Sequence, residues 1–251
     1  MMGAGMSEKA NKKVNKITAR YLKKTGGLLN DGKMPFDARA AFWILEKAAR
    51  SPGKRNVYFW NDDVQKLEEA IRDNREHPAL TNEGYIGKQG NLKSIAFGDR
   101  GNTADHGCGW VAVFNAWRLL GRPKTPMEVA GEVSRGARGH GKRGVDPFFI
   151  LKYFRAYGYD AEMTTGLDAM ETAAEQSDAY ILCYLYAGSD DAVGGHFIAG
   201  QWDPEKCRHS IYNGEHGGRE TVAKLLEAPC SETLLNLLIT IKKAAPSEQL
   251  R

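Results

Sequence analysis

The order of the hydrophobic patterns is the feature that most constrains the fold of this chain. Before Tyr159 the apolar residues recur mostly at helical spacing, and after it short strand-like runs dominate. Helices that precede a set of antiparallel strands indicate an α+β fold. With 251 residues the chain could form one large domain or a main domain with a smaller partner, and we favour the second.

The first 80 residues are predicted to be mostly helical. Helical patterns cover residues 7–24, a segment that begins at Pro35, and residues 61–75. Residues 78–107 are rich in Gly and Asn, with one strand-like stretch at 95–97. We therefore predict a basic helical region over 1–80, a linker over 81–100 and a main domain over 101–251.

The main domain is predicted to contain four helices and five extended segments. The helices cover 109–120, 126–133, 147–157 with Gly158 as the C-cap, and 169–176. The extended segments cover 159–164, 179–184, 196–202, 208–212 and 235–241.

The positive charge of the chain is concentrated at its start. The net charge is +4, but residues 1–55 carry 13 Lys or Arg against 4 Asp or Glu, which gives +9 there and −5 in the remainder. Such a segment could attract an acidic partner, although Lys-rich helix faces are more often simply solvated. The sequence gives no strong evidence for binding to nucleic acid or to a membrane.

Composition favours a soluble cytoplasmic protein. No apolar run approaches the roughly 18 to 20 residues that span a bilayer, and no compact apolar segment followed by a cleavage site is evident at the N-terminus. The four scattered cysteines favour reduced thiols over a disulfide framework.

Cys108 lies where a glycine-rich loop meets an apolar helix. The loop DHGCG over 105–109 leads directly into the apolar run WVAVFNAW over 110–117. Free N–H groups and the helix dipole stabilise a thiolate at such a position, and the thiolate is the form that attacks a carbonyl carbon. A lone Cys on an apolar helix is otherwise usually a core residue. We expect Cys108 to be an activated nucleophile.

His196 is the candidate base because it follows a glycine pair and opens a strand in GGHFIAG over 194–200. Asn213 comes seventeen residues later, after the next strand, so a hairpin could return it beside the imidazole. Asn213-Gly214 could also be only a turn. Asp203 is the competing orienting residue, although Asp203-Pro204 is typical of a turn.

These residues resemble the papain-like cysteine peptidases, and within them the bacterial C39-like group. In that group a Cys-Gly pair starts the nucleophile helix and His-Phe opens a strand, as Cys108-Gly109 and His196-Phe197 do here. The resemblance implies a nucleophile helix packed on an antiparallel sheet. It also implies Cys108 as nucleophile, His196 as general base and then acid, and Asn213 as the orienting residue, where C39-like proteins more often have Asp.

The resemblance also gives roles to further residues around the site, and at two positions this chain differs from the family pattern. Asn102 takes the position, six residues before the nucleophile, at which papain-like enzymes place the Gln of the oxyanion hole. Trp110 replaces the usual C39-like Pro after Cys-Gly. The residues expected to contact substrate flank the nucleophile or the base: Gly107, Gly109, Trp110 and Gly195.

The function expected from this pattern is hydrolysis of peptide or amide bonds through a thioester acyl-enzyme, with no cofactor. One alternative is acyl or peptidyl transfer by the same Cys-His-Asn order. Another is a catalytically inactive module that binds a peptide. The substrate in each case would be a peptide or protein.

Other motifs carry little weight. The segments 136–142 and 139–144 fit glycine-rich phosphate-loop spacings, but no strand precedes them. Cys207 and His209, with His216, lack the spacing of a zinc site, so no metal is expected.

Overall fold

A computed structural model describes residues 69, 70, 72, 74, 84–187, 193–214, 217–228 and 233–244. The predicted helices over 7–24 and from Pro35, and the basic segment 1–55, lie outside the described residues. Of the predicted helix 61–75, the four described residues are helical. Within the described residues, no helix is both long enough and apolar enough to cross a membrane.

Five α-helices are described from end to end: α1 (Thr103–His106), α2 (Cys108–Leu119), α3 (Pro126–Ser134), α4 (Pro147–Ala156) and α5 (Leu167–Glu175). Local capping sets their starts. Thr125 and Glu128 form a capping box at α3, and the Asp146 side chain accepts from Phe148 N–H at α4. After α4, Gly158 has a φ of +80°, as a helix C-terminus requires. The four predicted helices of the main domain are confirmed within two residues at each end.

Eight β-strands are described: β1 (Ala96–Phe97), β2 (Gly101–Asn102), β3 (Tyr159–Thr164), β4 (Ala179–Ala187), β5 (Val193–Asp203), β6 (Arg208–Tyr212), β7 (Arg219–Val222) and β8 (Thr233–Lys243). β1 and β2 form a small pair. The others form one antiparallel sheet in the order β3-β8-β4-β5-β6-β7. The predicted strands are confirmed, although three of them are longer than predicted. Helices packed with an antiparallel sheet make this an α+β fold.

The sheet has helices on both faces because its central strands are apolar on both sides. Along β4, Ile181 and Cys183 belong to the core cluster that includes α2, while Tyr180 and Leu182 belong to a second cluster with α5. Such continuous apolar runs are typical of strands buried on both faces. The N-terminal half of α2 is buried on every side, so this helix is held firmly against β4 and β5.

Residues 84–102, called here the entry segment, are packed against the main domain. They include most of the predicted linker 81–100. Ile86, Ile95 and Phe97 are buried in the same core as α2. The buried Asn115 side chain of α2 accepts from Ile86 N–H at 2.9 Å and donates to Ile86 C=O at 2.9 Å. These paired bonds fix the entry segment to α2, so most of the predicted linker is part of the folded core.

Candidate active site

Cys108 begins α2, directly after the Gly107 that ends α1. Its side chain is 6% exposed. Its sulfur lies within reach of three backbone N–H groups: its own, that of Gly109, and that of Phe197 on β5. The first two are free because the first N–H groups of a helix have no partner within it.

Two opposing effects set the pKa of the Cys108 thiol, and together they disfavour its ionisation. Burial raises its pKa from 9.0 to about 11, and the three N–H groups lower it by less than burial raises it. The N–H groups at the helix N-terminus therefore stabilise a thiolate as expected, but burial of the sulfur disfavours the thiolate by more. In this structure Cys108 is a neutral thiol at neutral pH.

His196 lies on β5, half-buried, with its ring edge-on to Tyr184 at a centroid distance of 5.6 Å. Its Nε2 lies 2.7 Å from the main-chain oxygen of Asn213. A carbonyl oxygen can only accept, so Nε2 carries the proton and, in the neutral ring, Nδ1 holds the lone pair of a base. Burial lowers the pKa of His196, and the bond to Asn213 partly offsets this.

The Cys108 sulfur approaches β5 one residue after His196. The Phe197 N–H that reaches the Cys108 sulfur belongs to the peptide that follows His196. Among the described residues, β6 pairs with β5 only from Ala199 onward, so no described strand pairs with this edge of β5 before that residue. Phe197 and Cys108 share one core cluster, whereas the His196 ring lies beside Tyr184 of the other. The His196 ring and the Cys108 sulfur therefore lie toward opposite faces of β5.

Asn213 lies directly after β6 in a left-handed conformation with a φ of +67° and is 2% exposed. The hairpin places it beside His196, as proposed from the sequence, but the contact runs through its main-chain oxygen. Its side-chain amide pairs with Gln89 instead. The competing Asp203 accepts from Lys206 Nζ at 2.6 Å and from backbone N–H groups of the β5–β6 turn. Asp203 therefore stabilises that turn.

Asn102 caps helix α1. Its Oδ1 accepts from Asp105 N–H at 3.0 Å, and its Nδ2 donates to Asp105 Oδ2 at 2.8 Å. The local signal for this was an Asn three residues before an Asp at a helix start. The proposed donation to an oxyanion would have to use the remaining Nδ2 hydrogen or break the cap.

The residues that flank Cys108 are closely packed. Trp110 is fully buried and donates from Nε1 to Thr103 Oγ1 at 3.0 Å, so a substrate would not reach its ring in this structure. A Cβ on Gly109 would lie 2.1 Å from Val145 Cγ1, and one on Gly107 would lie 2.7 Å from the Trp110 and Thr103 side chains. Packing alone therefore explains both glycines. Gly195 is exposed on β5 next to His196.

Gln89 is the site residue that sequence reasoning missed. It lies 124 positions from Asn213, in the segment predicted as a linker, and no local pattern marks it. Among the described residues, no group of three or more His, Cys, Asp or Glu side chains could hold a metal ion. Cys108, Cys183 and Cys207 are free thiols, whereas Cys230 lies outside the described residues.

Comparison with known proteins adds little to this geometry. No protein-family model matches the chain, and no curated protein matches it. A search of solved structures found the G161 variant of the Salmonella effector SpvD, at 9% sequence identity and a TM-score of 0.34. That likeness covers 90% of this chain and 97% of the SpvD chain. At such a TM-score it supports no inference about function, which has to be argued from the site.

Proposed function

We propose that this protein is a papain-like, cysteine-dependent hydrolase of peptide or amide bonds, of the C39-like kind, with Cys108 as nucleophile and His196 as base. The observation that carries the proposal is that the Cys108 sulfur lies within reach of the Phe197 N–H on β5, one residue after His196. In addition, the main-chain oxygen of Asn213 accepts from His196 Nε2 and so fixes the proton on that nitrogen. A neutral thiol as nucleophile and a neutral imidazole with an unprotonated Nδ1 as base suit general-base catalysis.

The reaction has two halves. His196 Nδ1 takes the Cys108 proton as the sulfur attacks the carbonyl carbon, and the tetrahedral intermediate collapses to a thioester. The amine leaves with the proton from His196. Water then loses a proton to His196 and attacks the thioester, which releases the acid and restores the thiol. The backbone N–H groups of Cys108 and Gly109, which reach the sulfur, are the proposed donors for the oxyanion.

A second candidate is an inactive papain-like module that binds a peptide. The specific observation in its favour is the burial of Cys108, which keeps the thiol protonated and covers the sulfur. Acyl transfer to an amine would use the same residues as hydrolysis and differs only in the acceptor.

A thiol-directed epoxysuccinyl peptide tests catalysis without a known substrate. The full chain is incubated with this probe at pH 7, and the modified residue is located by peptide mass spectrometry. The proposal expects modification of Cys108 that depends on His196 and becomes at least tenfold slower in His196→Ala. Cys207→Ala is the matched control because Cys207 is an exposed free thiol away from His196.

Two outcomes would contradict the hydrolase proposal. One is modification of Cys108 at the same rate with and without His196, and the other is modification of Cys207 alone. Either would favour the peptide-binding module.

A further inference from the structure

Gln89 joins the two halves of the candidate site through four hydrogen bonds. Its N–H donates to Asn213 Oδ1 at 3.0 Å, and its Oε1 accepts from Asn213 Nδ2 at 2.9 Å. Its Nε2 donates to Thr103 C=O at 3.3 Å and to Ala104 C=O at 2.9 Å. One end of Gln89 therefore holds the residue after β6, and the other holds the helix that leads into Cys108.

The bonds to Asn213 bear directly on His196. Asn213 is almost completely buried in a left-handed conformation, which is costly for a residue with a Cβ unless its surroundings hold it there. The paired amide contact with Gln89 uses both ends of the Asn213 side chain. It thereby helps to fix the direction of the main-chain oxygen that accepts from His196 Nε2.

We propose that Gln89 is a positioning residue for His196, acting through Asn213 to keep the imidazole proton on Nε2 and Nδ1 free as the base. The catalytic meaning of this role rests on the proposed function, whereas the effect on the ring does not. Gln89 contacts the side-chain amide of Asn213, and the main-chain oxygen of Asn213 in turn contacts the imidazole.

Two variants separate the two ends of Gln89. Gln89→Met keeps the length and volume of the side chain and removes all of its side-chain hydrogen bonds. Gln89→Glu keeps an acceptor for Asn213 Nδ2 and loses the donors to the carbonyls of Thr103 and Ala104. In both variants the main-chain bond from residue 89 to Asn213 Oδ1 remains available. Gln176→Ala is the matched control because Gln176 is exposed at the end of α5.

The readout is the tautomer of the neutral His196 ring, measured by ¹⁵N NMR of histidine-labelled full-length protein above the pKa of the ring. Wild type and Gln176→Ala are expected to show the Nε2–H form. Loss of one buried hydrogen bond corresponds to about a fivefold change in a population ratio, so the Nδ1–H form should rise about fivefold in Gln89→Met. Gln89→Glu should show the same tautomer ratio of the His196 ring as wild type.

The proposal is overturned if Gln89→Met leaves the tautomer ratio unchanged. It is also overturned if Gln89→Glu disturbs the ratio as much as Gln89→Met, because the anchor to α1 would then be the cause. If Gln89→Met does not fold, as judged by circular dichroism, the comparison of Gln89→Glu with wild type still decides. Failure of the hydrolase proposal would appear separately, as an epoxysuccinyl reaction indifferent to His196 alongside an intact tautomer effect.

Discussion

The Cys108 thiol should ionise only at strongly alkaline pH. Its pKa is raised from 9.0 to about 11 because burial outweighs three backbone N–H donors. Two pKa units correspond to about 3 kcal/mol against the thiolate. At pH 7 about one molecule in ten thousand would carry a thiolate, compared with about one in a hundred for a thiol of pKa 9.0. The intrinsic reactivity of Cys108 should therefore be about 100-fold below that of such a thiol.

The assay is the rate of alkylation of Cys108 by iodoacetamide between pH 6 and 11, followed by peptide mass spectrometry with N-acetylcysteine as the reference thiol. The rate should keep rising above pH 9. It should show no plateau near neutrality, because only the thiolate reacts. A rate that levels off below pH 8 would refute the reasoning and show that a thiolate is already formed.

The same pKa shift predicts a change in folding stability with pH. Between pH 9 and 11 the unfolded chain loses the Cys108 proton while the folded chain retains it, so stability falls by up to about 3 kcal/mol across this window. Cys108→Ser removes this contribution and leaves those of the other groups. The difference between the unfolding free energies of wild type and Cys108→Ser, measured in urea at pH 8.5 and 10.5, should therefore shift in favour of the serine variant at the higher pH. An unchanged difference would contradict the assigned pKa.

Four further outcomes are expected. Asn213→Ala should unfold at lower urea than Asn213→Gly, by about 1–2 kcal/mol, because the positive φ strains a residue with a Cβ. Gly109→Ala should cost about 1–3 kcal/mol in urea unfolding, since its Cβ would lie 2.1 Å from Val145 Cγ1. Trp110→Phe should cost about 1–3 kcal/mol in the same assay, because it leaves a cavity and a buried hydroxyl without its donor. The His196 ring, titrated by NMR, should have its midpoint below 6.5 because of burial.

Each of these has a control or a contradicting result. Gly90→Ala is the control for Gly109→Ala, since a Cβ at Gly90 meets no atom of the described residues within 4 Å. Equal stability of the two Asn213 variants would show that the left-handed conformation is not maintained in solution. If Trp110→Phe unfolds at the same urea concentration as wild type, the hydrogen bond from the indole does not contribute to stability. A His196 midpoint above 6.5 would mean that a nearby negative charge outweighs burial.

Local sequence patterns determined most of the secondary structure and its order. The apolar run after Cys108 predicted α2, Gly158 predicted the end of α4, and short strand-like runs predicted the strands of the main sheet. These signals are local because helix periodicity, capping and strand alternation act over a few residues. The elements that were missed are short or polar, such as α1 and the strand Arg219–Val222, in which hydrophobic periodicity gives no signal.

Only part of the candidate site could be predicted from the sequence. The junction at Cys108, the strand at His196 and the hairpin to Asn213 each had a local signal. The use of the Asn213 main-chain oxygen, and the capture of its side chain by Gln89 from 124 positions away, had none. Such contacts depend on how distant segments pack, and no short pattern encodes that.

The ionisation of Cys108 shows this division most clearly. The sequence by itself determined that the thiol would stand at a helix N-terminus, where free N–H groups favour a thiolate. Only the tertiary structure decided the opposite balance, because it buries the sulfur, and this burial outweighs the N–H groups of Cys108, Gly109 and Phe197. The cost of burying a charge depends on everything that excludes water from it, and that is a property of the folded chain as a whole.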